Sequence, residues 1–227
     1  MKNTLLKVIC LILIISLTAP FSTAYCEIKN QDTGKYIIYV DLYAYTLTLF
    51  DKEIQEPVKT YPVAIGKKYT PSPIGTWQIK SKALMNGPFG GYWLGLNAPW
   101  DTFGIHGTSN PSSIGSMASN GCIRLFNNNI KELFSLVDYN TIVVVSGGPN
   151  WMFSPYYRIM FLNDKGADVY HVERILNALG YYPKEPDGIY DYDLYLAVMK
   201  YKKDHDISGS DEIDQEFLDS IGCPKFE

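Results

Sequence analysis

The stretch KYIIYVDLYAYTLTLF, residues 35–50, packs tyrosine, isoleucine, valine, leucine and threonine into partial alternation. It reads as two β-strands around a turn, because alternate residues of a strand face opposite sides of a sheet. The segments that follow have the same texture. PVKTYPVAIG (57–66) reads as a strand closed by Gly66, GTWQIKSKAL (75–84) as one opened by Gly75, and TIVVVSGG (141–148) as a buried strand. Between them lie turn-forming runs such as KKYTPSPIG (67–75) and NGPFGG (86–91). One short helix is expected at NNNIKELFSLV (127–137), capped by Asn127 or Asn128, with Ile130, Leu133, Phe134 and Val137 on one face. Many short strands with few helices define a mainly β barrel or sandwich over residues 35–147.

After Ser146 the periodicity changes. A linker is expected over 148–163 and a helical domain over 164–223. DVYHVERILNALGYYP (168–183) reads as a helix capped by Asp168. Its stripe is Val169, Val172, Ile175, Leu176 and Leu179, with Gly180 past its end and Pro183 blocking continuation. A second helix carries Leu194, Ala197, Val198 and Tyr201 at helical spacing, and a third uses Ile213, Phe217 and Ile221 and stops at Gly222. The fold class is therefore a mainly β domain followed by a small three-helix domain.

The first 26 residues have another character. Lys2 and Lys7 precede an apolar run from Val8 to Leu17, followed by small and polar residues. That is the layout of a secretory signal, and the run is shorter than the ~20 residues of a membrane-spanning helix. Cleavage after Ala24 or after Cys26 fits the pattern; an uncleaved signal anchor is the alternative. Of four cysteines, Cys10 lies in the signal, leaving Cys26 (or not), Cys122 and Cys223. Cys26, if retained, is a candidate partner for Cys223. Only three histidines and no C-x-x-C pair are present, which argues against a structural zinc site. With 46% hydrophobic and 19% charged residues and a net charge of −4, the chain has the balance of a globular protein. It lacks the concentrated basic charge that nucleic-acid binding needs.

The chemistry gathers in FGIHGTSNPSSIGSMASNGCIRL, residues 103–125. His106 and Cys122 stand sixteen positions apart, joined by a loop of small residues with Pro111 and Gly115. A loop of that kind can fold back so that an imidazole serves a thiol, by taking its proton or by pairing with its thiolate. Gly121 permits a close backbone approach at which N–H groups face an oxyanion. Arg124 shares the strand face of Cys122, where it favours the thiolate or receives a carboxylate. Glycine-flanked cysteines also serve as small core residues, so spacing alone leaves both readings open.

The ordered string TYPVAIGKKYTPSPIGTWQI (60–79), GPFGGYWLGL (87–96) and GIHGTSNPSSIGSMASNGCIRL (104–125) closely resembles the YkuD-type L,D-transpeptidases of bacterial cell walls. The hallmark is a histidine–glycine pair, a loop, then Ser-x-Gly-Cys, an aliphatic residue and arginine. The position before Gly121 is often His or Lys in the family and is Asn120 here. The resemblance implies an exported acyltransferase with Cys122 as nucleophile and His106 as general base and then acid. It implies that the Gly107 carbonyl orients the imidazole and that the N–H groups of Gly121 and Cys122 form the oxyanion hole. Arg124, Ser119 and Asn120 become substrate contacts, and Tyr92 and Trp93 line the groove or pack in the core. It implies peptidoglycan stem peptides and glycan as partners and carbapenem-type β-lactams as inhibitors. No metal or organic cofactor and no stable membrane partner is implied. The acceptor is an amine in a transpeptidase and water in a carboxypeptidase or endopeptidase; a non-catalytic wall-binding protein is the remaining alternative. The helical tail resembles the three-helix peptidoglycan-binding domain through LNALGYYP (176–183), Asp187–Gly188 and the late helix ending at Gly222. It departs at YDYDL (190–194), where that family has Gly-Pro-x-Thr. Tyr181, Tyr182 and Tyr190 are candidates for stacking on wall sugars or for helix packing.

Overall fold

A computed structural model describes residues 34–147 and 158–223; the expected signal, Cys26 and residues 148–157 of the expected linker lie outside them. The opening stretch forms β1 (Tyr36–Asp41) and β2 (Thr46–Asp51), antiparallel about a tight turn. Asp41 accepts the turn's Tyr43 and Ala44 N–H groups, each at 2.9 Å. Chain order continues through β3 (Pro57–Pro62), β4 (Ile65–Gly66), β5 (Gly75–Met85), β6 (Gly91–Leu96), β7 (Gly104–His106), β8 (Met117–Ser119), β9 (Ile123–Arg124), α1 (Asn127–Leu136) and β10 (Ile142–Ser146). Eight strands form one sheet in the order β3-β2-β1-β10-β5-β6-β7-β9, and β4 pairs with β8.

The two edges of the long sheet meet. The chain leaving β3 passes through Ala64, whose N–H and C=O exchange hydrogen bonds of 2.9 Å with the C=O and N–H of Arg124 on β9. A barrel therefore closes through a single residue pair, which removes an exposed edge at that point. Alternate residues point inward: Ile38, Val40, Leu47, Leu49, Leu94, Leu96, Ile105, Ile123, Val143 and Val145 are buried in one core. Helix α1 contributes Ile130 and Leu133 to it, as its periodicity predicts. Its expected cap is different: Phe126 holds the cap position, Asn127 is the first helical residue and its side chain goes elsewhere.

The helical domain has α2 (Ala167–Ala178), α3 (Tyr192–Asp204) and α4 (Gln215–Ser220) around a second core of Val169, Val172, Leu176, Leu194, Val198 and Phe217. Met160, expected in the linker, is part of that core and exchanges backbone hydrogen bonds of 3.0 Å with Ile213. Two local expectations change. Gly166, not Asp168, precedes α2, and Asp168 is drawn to the Arg158 guanidinium, 2.9 Å from its Nη2. Leu179, at the C-cap of α2, stands outside the core, 51% exposed. Asp191 and Asp214 cap α3 and α4 by accepting the N–H groups of Leu194 and Phe217, both at 2.9 Å. Tyr182 and Tyr190 are buried, so they are helix-packing residues and not a stacking surface; Tyr181 packs edge-on against Tyr201. No helix among the described residues is long and apolar enough to cross a membrane.

Candidate active site

Strands β7 and β9 run parallel, with Ile105 opposite Ile123 and His106 opposite Arg124. The two isoleucines are fully buried in the barrel. By strand alternation His106, Arg124 and Cys122 therefore lie on the other face. Parallel neighbours need a crossover, and here it is the loop 107–122. That loop is stitched to the chain after β3: Gly115 N–H to Val63 C=O at 2.9 Å, Ile65 N–H to Ser116 C=O at 3.1 Å, Lys67 N–H to Ser119 C=O at 3.0 Å.

The imidazole of His106 is walled by aromatic rings. Trp93, its antiparallel partner on β6, stacks on it with centroids 5.6 Å apart and 23° between planes, while Phe89 meets it edge-on at 5.1 Å. Trp93 is thus a packing residue, and Tyr92 packs on Phe134 of α1. His106 Nδ1 stands 2.5 Å from the Gly107 carbonyl. A carbonyl only accepts, so Nδ1 carries the proton and Nε2 keeps a free lone pair. Burial, reinforced by the Arg124 charge, pushes the imidazole down to about 4 although the Gly107 carbonyl pulls the other way. It is therefore neutral at physiological pH.

Gly107 itself has no room for a side chain: a Cβ there would lie 2.5 Å from Asn127 Oδ1 and 2.9 Å from Gly90 Cα. Asn127 Oδ1 accepts the Thr108 N–H at 2.8 Å. Asn127, one of the two residues expected to cap α1, instead pins the histidine loop, a role with no local sequence signal because its partner is nineteen positions away.

Cys122 is partly exposed at the end of the crossover. Its thiol points toward the Thr102 carbonyl, 4.0 Å away. Burial raises the thiol above its ordinary value, opposed by the Gly104 N–H and the Arg124 charge, while Asp101 adds to the rise. Thiol and imidazole are both neutral at rest, which favours proton transfer during attack over a preformed ion pair. Gly121 sits at φ +117°, a region that favours glycine, and a Cβ there would lie 2.6 Å from the Phe103 ring.

Ser119 corrects an expectation. It is fully buried and cannot be a substrate contact. Its Oγ donates to the Cys122 carbonyl at 2.5 Å and accepts the Gly121 N–H at 3.0 Å. It staples the turn that presents the thiol. The Gly121 N–H expected in the oxyanion hole is consequently taken, leaving the Cys122 N–H as the donor from this turn. Ser119→Ala is expected to strip two buried backbone groups of their partner and lower stability by about 2–4 kcal/mol, read as a lower urea midpoint.

Arg124 is half-buried; its Nη1 reaches the Ala118 carbonyl at 3.4 Å and its Nε is buried without a hydrogen-bond partner. Asn120, four positions earlier, is exposed. Among the described residues no group of three or more His, Cys, Asp or Glu side chains is placed to hold a metal ion.

An unpaired thiol and a neutral, tautomer-locked histidine on adjacent parallel strands form an arrangement suited to acyl transfer. Residues 35–145 match the family model of the L,D-transpeptidase catalytic domain, and residues 165–220 match one described as "Putative peptidoglycan binding domain". A "Putative L,D-transpeptidase YkuD" of Bacillus licheniformis is 45% identical over 120 residues, 52% of this chain and 70% of that relative. A Bacillus subtilis relative with the same description is 41% identical over 131 residues, 57% of this chain and 77% of its own length. The chain belongs to the YkuD family of L,D-transpeptidases. A crystal structure of an L,D-transpeptidase from Stackebrandtia nassauensis aligns with a TM-score of 0.44 at 22% identity. That match covers 56% of this chain and 62% of the other, less than two thirds of its length.

Proposed function

We propose that the protein is an exported cysteine L,D-transpeptidase that cross-links peptidoglycan stem peptides through a thioester. The observation that carries this reading is the shared face of Cys122, His106 and Arg124 across the β7–β9 pair, with His106 held as a neutral base. Nε2 takes the thiol proton as Sγ attacks the carbonyl carbon of the bond between an L-centre and the terminal D-residue. The oxyanion is met by the Cys122 N–H. Collapse breaks the C–N bond, and the proton on Nε2 goes to the leaving amine, giving the thioester and a free D-amino acid. An amine from a second stem then attacks the thioester, His106 takes its proton, and the thiol is regenerated as the new amide forms.

Arg124 receives a donor carboxylate: it is half-buried on the face shared with Cys122 and His106, and a guanidinium binds a carboxylate through paired N–H donors. Arg124→Ala is expected to lower kcat/KM for a tetrapeptide by about 10- to 100-fold, the worth of a charge-assisted bond of ~1.5–3 kcal/mol. Alkylation of Cys122 by neutral iodoacetamide is expected to fall far less, which separates substrate binding from thiol activation. The helical domain is proposed to hold the enzyme on the wall, and the N-terminal apolar run to direct export. Carbapenems are expected to acylate the same sulfur.

The test is incubation of the purified protein with a disaccharide tetrapeptide. Cross-linked dimer with released D-amino acid supports the transpeptidase. Released D-amino acid with tripeptide alone means that water is the acceptor. Neither product from folded protein overturns the enzyme reading.

A further inference from the structure

Between Leu96 and β7 the loop 97–103 forms the wall against which Cys122 rests. Thr102 supplies the carbonyl facing Sγ, at 4.0 Å, and the Phe103 ring fills the space beside Gly121. Asp101, in the same loop, accepts the Thr102 N–H at 2.7 Å, and its charge opposes formation of the thiolate. This wall is held from outside the barrel. Lys165, just before α2, places Nζ 2.9 Å from Asp101 Oδ2 and 3.5 Å from the Trp100 carbonyl. Tyr170 of α2 packs on Trp77 and Trp100 with centroids 5.4 and 5.7 Å apart, and Trp100 meets Phe103 edge-on at 5.6 Å. Gly188 lies so close to Trp100 that a Cβ would fall 2.6 Å from the indole. That loop is fixed in turn by buried Glu173, whose Oε2 accepts the N–H groups of Asp187 and Gly188 at 3.0 and 2.6 Å.

We infer that the helical domain positions the nucleophile: Lys165 and Tyr170, through Asp101 and the Trp100–Phe103 ring pair, set the loop against which the Cys122 thiol rests. The inference rests on the reading of Cys122 as nucleophile and adds to the domain's proposed wall-holding role. Lys165 and Tyr170 are positioning residues; neither reaches a reacting atom. The charged and titratable groups around the thiol are Asp101 from the loop, Arg124 from β9 and His106 from β7, and Lys165 neutralises the first of these. Removing the lysine leaves the Asp101 carboxylate uncompensated beside the sulfur, so the thiol ionises at higher pH.

The experiment measures iodoacetamide alkylation of the Cys122 peptide by mass spectrometry across pH, in the full chain at low ionic strength. Both Lys165 and Asp101 are about half exposed, and salt screens such a pair. Lys165→Ala is expected to move the midpoint upward and slow alkylation at pH 7 about two- to threefold, an effect that shrinks with added salt. Lys165→Arg is expected to restore the wild-type profile, and Asp101→Asn to remove the effect of Lys165→Ala, as coupled residues require. Tyr170→Leu, at a half-buried position, is expected to slow carbapenem acylation about three- to tenfold with the thermal midpoint nearly unchanged. Wild-type profiles and rates in both Lys165→Ala and Tyr170→Leu overturn the inference, as does a Lys165→Ala shift that persists with Asp101→Asn. Alkylation needs no peptide, so failure of the tetrapeptide to turn over leaves this test intact.

Discussion

Cys122→Ala is expected to gain no mass from a carbapenem while the wild-type protein gains one adduct, and to release no D-amino acid from a tetrapeptide. The loss is complete because no other described thiol can substitute. Cys223, the other free cysteine in the described residues, is buried in the helical domain, and burial pushes its thiol up to about 11. The fold should survive, since Cys122 is partly exposed and removing its sulfur empties no core position. Unchanged thermal unfolding with abolished acylation identifies the nucleophile. An adduct retained by Cys122→Ala assigns the chemistry elsewhere.

His106→Gln is the second large effect, with acylation expected to fall about 10²–10⁴-fold, the range for losing a positioned general base. Glutamine keeps an N–H for the Gly107 carbonyl and much of the contact with Trp93, so the loss reports the missing base more than a collapsed site. The pH profile carries the same argument. His106 titrates at about 4 and Cys122 above its ordinary 9.0, so the acylation rate of the wild type should be flat across the neutral range. It should fall only as the pH drops toward 4, where Nε2 is protonated and can no longer accept the thiol proton. An acid limb near 6.5 would mean that the imidazole is solvated in the working enzyme and not walled by Trp93 and Phe89.

Much of the architecture is legible along the chain because its signals are local. Alternation in 36–51 and 142–146 marks strands with one buried face, and the change to a 3.6-residue period after Ala167 marks helices. Strands β6 to β9 are harder to read: three of the four have two or three residues, and β6 contains two glycines. The pair His106 and Cys122 is legible through the ordered motif that the resemblance supplies, whereas Trp93 and Phe89 around the imidazole carry no chemical signature. Three side chains take partners other than the expected ones. Asn127 turns from its helix end to Thr108, Asp168 turns to Arg158, and Ser119 turns inward to bond the Gly121 N–H and the Cys122 carbonyl.

By itself the sequence determined two periodicities, hence two domains, and one ordered set of reactive residues, hence a family. The periodicities depend on neighbours a few positions apart, whose relation is set by the geometry of a strand or a helix turn, and the family on the order of residues along one motif. Only the tertiary structure decided that Ala64 and Arg124 close the barrel, that the thiol rests on Thr102, and that Lys165 and Tyr170 reach the same loop from the second domain. These pairs lie 20 to 70 positions apart, and nothing local distinguishes one polar or aromatic partner from another. Their pairing is chosen by which surfaces meet when both cores are buried at once.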